Sequence, residues 1–278
     1  MYLRPRTLSE ASEALARGGR VLAGGTDFFP ALGDRPSTGT IVDITALDEI
    51  RGISIAPDRV RIGGATTWSE IVSAKLPRRL DALKAAAREV GGIQIQNRGT
   101  IAGNLCNASP AADGVPPLLV LDAELELISA AGKRQVRVAD FIVGNRRTTR
   151  RPDEILAAIT IPCRGDGGVS VFLKLGARRY LVISIAMVAA LLITDARGRV
   201  AKARVAVGAC SVTAQRLPEL ERALLGAPAH SGLGSLVRPE HLSPLAPIDD
   251  VRAPASYRHQ AALLLVQRAL ERCAGSGP

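Results

Sequence analysis

Between residues 96 and 117 the chain reads QNRGTIAGNLCNASPAADGVPP, with Gly99, Thr100, Gly103, Asn104, Asn107, Ser109 and Asp113 inside fifteen positions. Small hydrogen-bonding residues at that density are costly in a core, because each buried polar group needs a partner. A shorter stretch of the same character, AGGTDFF (23–29), follows the apolar run Val21, Leu22 and Ala23, which reads as a strand end. Each stretch taken alone reads as an irregular loop capped by its own Asn, Ser and Asp side chains. Two such loops at the ends of apolar segments also suit a ligand rich in phosphate oxygens. Glycine frees backbone N–H groups there, and Thr and Asn side chains add donors, so a pyrophosphate is cradled without a cationic clamp. Neither stretch carries G-x-G-x-x-G opening a helix or G-x-x-x-x-G-K-S/T, which excludes the Rossmann and P-loop readings.

The surrounding pattern alternates helix and strand. TLSEASEALARGG (7–19) has a capping-box spacing at Thr7 and Glu10, places Leu8, Ala11 and Leu15 on one face, and stops at Gly18. RVLAG, TIVDI, GISIA and RVRIGG read as short strands, so residues 1–56 form a small α/β unit. ATTWSEIVSA (65–74) repeats the capping box at Thr67 and Glu70, with Trp68 as a core residue. LPRRLDALKAAAREVGG (76–92) has Pro77 at a helix start and paired glycines at its stop. AELELIS, QVRVADF and EILAAITIP read as strands of one sheet, and RGDGG (164–168) marks a domain boundary. Beyond it come three strands, VSVFLKLG (169–176), ISIAMVAALLIT (183–194) and VAKARVAVGAC (200–210), with DARGR (195–199) as a hairpin turn. LPELERALLG (217–226) and SYRHQAALLLVQRALERC (256–273) are amphipathic helices that cover the sheet.

Composition narrows the function classes. The chain has 278 residues, 47% hydrophobic, 22% charged and only 3% aromatic. That length favours two domains. A formal charge of +10 raises the question of nucleic acid, yet the densest basic cluster, GNRRTTRRPDE (144–154), has no aromatic stacking partners. A solvated basic face, an anionic cofactor or an acidic partner fits better, and a nucleic-acid-binding or scaffolding role rests on the charge alone. Cys106, Cys163, Cys210 and Cys273 are far apart and the three histidines cluster with none of them, so no zinc or iron–sulfur ligand set is present. Such cysteines fit a reducing cytoplasm. The N-terminus lacks the apolar segment of a signal peptide, and the longest apolar run, LVISIAMVAALLI (181–193), is too short for a membrane span and reads as a buried strand. His259 reads as a surface or interface residue. Arg178 and Arg179 read as a solvated turn, with a part in a binding site near Lys174 as the alternative.

VLAGGTDFFP, IGGATTWSEI and GGIQIQNRGTIAGNLCNASPAADGVPPLLVLDAELEL closely resemble the FAD-binding medium subunit of the molybdenum hydroxylases, the xanthine dehydrogenase and carbon monoxide dehydrogenase family. The resemblance continues through FLKLGARRYLVISIAMVAALL to SYRHQAALLLVQRALER, in the family's order. It implies an α+β fold: a two-subdomain FAD-binding domain of the vanillyl-alcohol-oxidase type over residues 1–163 (subdomains about 1–56 and 57–163), then a small α+β C-terminal domain over 169–278 with a three-stranded antiparallel sheet and helices. It also implies that Val21, Leu22, Ala23, Gly24, Gly25, Thr26, Asp27 and Phe28 wrap the FAD pyrophosphate, Thr26 adding its hydroxyl. Thr100, Gly103 and Asn104 contact it from the other side, Asn107 lies near the ribityl and phosphate region, and Asp113 meets the sugar–adenine side. Val90, where some members carry an aromatic ring, and Leu156 flank the isoalloxazine, and Lys174 lies near that ring. Asp27 stands where other members have glutamate or another polar residue.

The activity implied is that of an oxidoreductase subunit with no catalytic residue or metal of its own. A large molybdopterin-binding partner holds the molybdenum cofactor and a small partner holds [2Fe–2S] clusters, from which electrons pass through FAD to NAD+ or another acceptor. The alternative is a stand-alone flavin oxidoreductase of the vanillyl-alcohol-oxidase type, disfavoured by the C-terminal resemblance and by the lack of a histidine near the second loop for covalent flavin attachment.

Overall fold

The computed structural model describes residues 1–163 and 167–275. Contacts divide the chain into two units that interleave in sequence: residues 1–74, 92–108 and 123–164 make the first, and residues 75–91, 109–122 and 165–278 the second. The boundary expected at RGDGG falls mainly on residues 164–166, outside the described residues.

The first unit opens with a three-stranded parallel sheet of β1 (Tyr2–Leu3), β2 (Arg20–Leu22) and β3 (Ile41–Asp43), ordered β1-β3-β2. The helix Leu8–Ala16 begins where Thr7 Oγ1 accepts the Glu10 N–H. The Glu10 carboxylate turns to the Arg6 N–H instead, so only half of the expected capping box forms. Ala11, Ala14 and Leu15 close over Val42, Ile44, Leu47 and Ile50 in one core.

Next in the chain come β4 (Ile53–Ile55), β5 (Arg59–Gly63), β6 (Glu124–Ser129) and β7 (Gly132–Arg137). A hairpin of β8 (Ile142–Gly144) and β9 (Arg147–Thr148) precedes β10 (Ile155–Pro162). An antiparallel sheet ordered β4-β5-β10-β6-β7 gathers the other five. QVRVADF is strand only to Arg137. The Val138 N–H is captured by the Ala123 carbonyl, and Val138–Phe141 coil into a short helix that buries Val138 and Phe141.

Pairing between β10 and β6 slips between Leu156 and Ala158, which leaves Ala157 as the extra residue of a bulge. Its carbonyl accepts the Gly64 N–H at 2.8 Å. Gly64 has no room for a side chain, since a Cβ there would stand 2.1 Å from the Leu156 carbonyl oxygen. From this junction the chain enters the helix Trp68–Ser73 through a complete capping box. Thr67 Oγ1 accepts the Glu70 N–H, and the Glu70 carboxylate accepts the Thr67 N–H at 2.6 Å. Trp68 is buried, as its place on that helix predicts.

In the second unit β11 (Val169–Leu175), β12 (Ala186–Thr194) and β13 (Val200–Gly208) are the three expected antiparallel strands. A fourth, β14 (Gln215–Arg216), corrects the expected sheet of three by pairing through Ala206↔Arg216 and Val207↔Gln215. Two residues carry too little periodicity to be read from sequence. Asp195 closes the β12–β13 turn by accepting the Arg197 and Arg199 N–H groups, with Gly198 in the left-handed region.

The helix Ala255–Gly275 lays Leu265, Val266, Ala269 and Leu270 against Val188, Ala190, Leu192, Val205 and Val207. Met187, Ala189 and Leu191, opposite by strand period, are equally buried. The helices Asp81–Glu89 and Val115–Val120 also pack on this sheet. Burial on both sides is why β12 is continuously apolar from Ala186 to Ile193, whereas Leu181 and Ile183 precede the strand and are exposed, which corrects the reading of 181–193 as one buried strand. One side chain ties the layers together. Buried Arg258 donates through Nη1 to the carbonyls of Ile185 (2.8 Å) and Ala209 (3.0 Å), and through Nη2 to Asp250 Oδ1 (2.6 Å).

The Arg252 N–H and the flanking guanidinium groups of Arg258 and Arg252 hold the Asp250 carboxyl down at about 2, against the opposing effect of burial. A depressed folded-state value contributes stability that is complete above the unfolded aspartate value and is lost as the pH falls through the folded one. The urea midpoint is therefore expected to decline between about pH 4 and pH 2. That portion of the decline disappears in Asp250→Asn.

Candidate functional site

The two glycine-rich stretches adjoin in the first unit. β2 delivers the chain into Gly24, where a Cβ would stand 1.9 Å from the Arg98 carbonyl oxygen and 2.9 Å from Gly99 Cα. Gly25 has φ +74°, and a Cβ there would meet the Phe29 ring at 2.8 Å. Both glycines are therefore demanded by the packing and turn of the protein itself. A third segment is laced to the second of these: the Trp68 N–H donates to Gly99 O, the Ile101 N–H to Thr66 O, and the Ala102 N–H to Gly64 O.

This arrangement leaves donors over. The backbone N–H groups of Gly24, Gly25, Thr26 and Asp27 find no acceptor among the described residues. Thr26 is half-buried, with its Oγ1 beside Gly99. Val21 and Ala23 pack partly buried against the core, and Leu22, opposite by strand period, is buried. Phe28 begins the short helix Phe28–Leu32 and carries the Arg20 guanidinium over its ring at 5.2 Å.

The second stretch, expected as a loop, is largely helical, and this corrects the sequence reading. Ile101–Asn107 form a helix capped by Thr100, whose Oγ1 accepts the Gly103 N–H at 3.0 Å. Threonine three residues before glycine is a cap signal that the density of small polar residues obscured. With Ile101, Ala102 and Gly103 N–H groups all taken inside the protein, this stretch offers side chains rather than amides. A Cβ on Gly103 would meet Thr100 Oγ1 at 2.9 Å and nothing else within 4 Å, so the helix is open on that side. Thr100, Asn104 and Asn107 share one face at helical spacing. Asn104 Oδ1 is buried and has no hydrogen-bond partner among the described residues. Asn107 Oδ1 accepts from Arg146 Nη1 at 2.7 Å. Cys106, on the same helix, has its thiol pushed up to about 11 by burial despite nearby Arg150, which favours the protonated thiol. Leu156 is buried in β10 at the bulge.

In the second unit Asp113 and Lys174 form an ion pair at 2.6 Å, both side chains nearly inaccessible. Ser184 donates to the other Asp113 oxygen at 2.6 Å, and Lys174 also donates to the Glu89 carbonyl at 3.1 Å. Burial pushes the Asp113 carboxyl up, opposed by the Lys174 ammonium and the Ser184 hydroxyl. Asp113 and Lys174 thus occupy a single locus in the second unit. Val90 follows the helix Asp81–Glu89 and is half-buried next to Glu89. Arg178 is spent on the Leu181 carbonyl and Arg179 lies over the Tyr180 ring, so this exposed turn is braced by its own arginines. His259 is half-buried. Sequence reasoning missed Arg146, hidden in a run of arginines, and Ser184, hidden in an apolar one.

No group of three His, Cys, Asp or Glu among the described residues is placed to hold a metal ion. The chemistry left is that of an anion-tolerant, hydrogen-bonding cradle: free amides at 24–27, an unpaired acceptor at Asn104 and a carboxamide at Asn107.

Known proteins share this architecture. The family of FAD binding domains in molybdopterin dehydrogenase matches residues 1–164, and the CO dehydrogenase flavoprotein C-terminal domain matches residues 172–273. The chain belongs to the FAD-binding medium subunits of the molybdenum hydroxylases, as its glycine-rich stretches implied. Among its relatives is the xanthine dehydrogenase FAD-binding subunit of Escherichia coli O157:H7, 35% identical over 265 residues, covering 92% of this chain and 90% of the relative. The carbon monoxide dehydrogenase medium chain of Afipia carboxidovorans is 29% identical, with coverage of 98% and 95%. Solved structures agree: reconstituted CO dehydrogenase from Oligotropha carboxidovorans superposes with a TM-score of 0.89 at 28% identity, and quinoline 2-oxidoreductase from Pseudomonas putida 86 with 0.88 at 26%. Each comparison covers 98% of this chain and 96% of the other.

Two substitutions test this geometry. Gly24→Ala must push Arg98 and Gly99 aside, and urea denaturation is expected to show a loss of about 1–3 kcal/mol, the scale of overpacking. Lys174→Met strands the buried Asp113 carboxylate and should cost about 3–5 kcal/mol, most of it recovered in the double variant with Asp113→Asn.

Proposed function

We propose that this chain is the FAD-binding electron-transfer subunit of a multi-subunit molybdenum hydroxylase. Its partners in this reading are a large molybdopterin-binding subunit and a small subunit with [2Fe–2S] clusters, from which electrons reach NAD+ or another acceptor. The carrying observation is the run of unpaired amides at Gly24, Gly25, Thr26 and Asp27, within the segment that matches the FAD-binding family. FAD supplies the redox chemistry when bound.

The residues bind and orient. Amides 24–27 and the Thr26 hydroxyl donate to the pyrophosphate, and Val21, Leu22, Ala23 and Phe28 hold that segment in register. Thr100 and Gly103 keep the facing helix open, Asn104 and Asn107 supply side-chain contacts, and Leu156 gives apolar surface for the flavin ring. Asp113 and Lys174 act as one neutral pair. The free cysteines and the absence, among the described residues, of a helix long and apolar enough to cross a membrane are compatible with a cytoplasmic complex. The C-terminal family match favours a complex subunit over a stand-alone flavin oxidoreductase.

The purified full chain, or its complex, is expected to show a flavin absorption spectrum and to release FAD rather than FMN on acid treatment. NADH should bleach the flavin band if NAD+ is the acceptor. A chain that stays colourless after reconstitution with FAD rules the reading out.

A further inference from the structure

Two residues in the left-handed region face each other beside the candidate site. Ala108 ends the helix Ile101–Asn107 with φ +47° and ψ +42°, and Arg146, in the β8–β9 turn, has φ +53°. Neither is glycine, so each conformation needs support from its surroundings. They support each other: the Arg146 N–H donates to the Ala108 carbonyl at 2.9 Å. The same residue then reaches back with its guanidinium to Asn107 Oδ1 at 2.7 Å. A guanidinium only donates, so the Asn107 atom it meets must be the carbonyl oxygen. The orientation of the carboxamide follows from chemistry rather than from atom naming. With Oδ1 consumed, Nδ2 is the group that Asn107 presents to a ligand. One turn earlier on the same face, Asn104 shows the opposite polarity through its buried, unpaired Oδ1.

We infer that Arg146 is a positioning residue that locks the Asn107 carboxamide so that its NH2 donates to an oxygen acceptor of the bound flavin nucleotide, while Asn104 Oδ1 accepts from a nucleotide hydroxyl. The inference rests on the FAD reading above. It extends the site to a residue that touches the cofactor only through another.

The test uses the full chain with four variants. Arg146→Met leaves the carboxamide free to rotate, and the Kd for FAD, read by flavin fluorescence quenching, is expected to rise about tenfold or more. Arg146→Lys keeps one donor and should restore affinity to near wild type, with the visible circular dichroism of the bound flavin also restored. Asn107→Asp retains the bond to Arg146 but replaces the outward donor with an acceptor, so FAD affinity should fall while thermal stability holds. Asn104→Leu removes the acceptor at similar volume and should weaken FAD binding while leaving the fold stable, whereas unchanged FAD affinity there overturns the acceptor assignment. Wild-type affinity in Arg146→Met or in Asn107→Asp overturns the positioning role. A separate readout stands without flavin. In the apo chain the Asn107 side-chain NH2 resonances should shift in Arg146→Met and return in Arg146→Lys, and unchanged resonances overturn the inference. If only the wild-type FAD titration fails, the functional reading falls and the geometry of Asn107 does not.

Discussion

The approach of Gly24 to the Arg98 carbonyl is the contact on which the first unit's site depends. At that distance no side chain fits, and the backbone segments at 24–27 and 98–102 can lie edge to edge only because residue 24 is glycine. The segment 64–68 completes the lacing under the same restriction, since Gly64 accommodates the Leu156 carbonyl. The bulge in β10 supplies that carbonyl and the neighbouring one that binds the Gly64 N–H. A slipped register in the middle of a sheet thereby fixes where a helix begins two segments away.

The two sides of this cradle differ in what they offer. On one side the backbone has unsatisfied N–H groups, which suit oxyanions without any fixed positive charge. On the other, the helix amides are already satisfied by Thr66, Gly64 and Thr100, and what is left on offer is the side chains of Asn104 and Asn107. The formal charge of +10 is therefore not what defines the site. Arginines near it work on protein groups: Arg146 on Asn107, and Arg150 on the carbonyls of Arg151, Pro152 and Glu154.

Elements with strong local signals were legible in the sequence. The Thr67–Glu70 capping box, the β12–β13 hairpin and the long C-terminal helix each follow from nearest-neighbour chemistry. Non-local features were not. A two-residue strand such as β14 has no pattern of its own, and the helix Ile101–Asn107 was masked by glycine and asparagine, residues of low helix propensity held there by a threonine cap and by bonds to residues 64–66. The family resemblance named candidate site residues, but only coordinates reveal that Asp113 pairs with Lys174 or that Arg146 stands behind Asn107. Such pairings join residues tens of positions apart and leave no trace in periodicity.

Interleaving of the two units has a consequence for how the chain is made. The helices Asp81–Glu89 and Val115–Val120 leave the ribosome long before β11, β12 and β13, the strands they cover. Until that sheet exists, Leu83, Leu118 and Val120 have no surface on which to bury themselves. The first unit likewise waits for β10, the central strand of its larger sheet. Contacts of such long sequence separation close late and slowly. The growing chain thus carries exposed apolar helices through much of its synthesis, and neither unit forms in the order in which its residues appear.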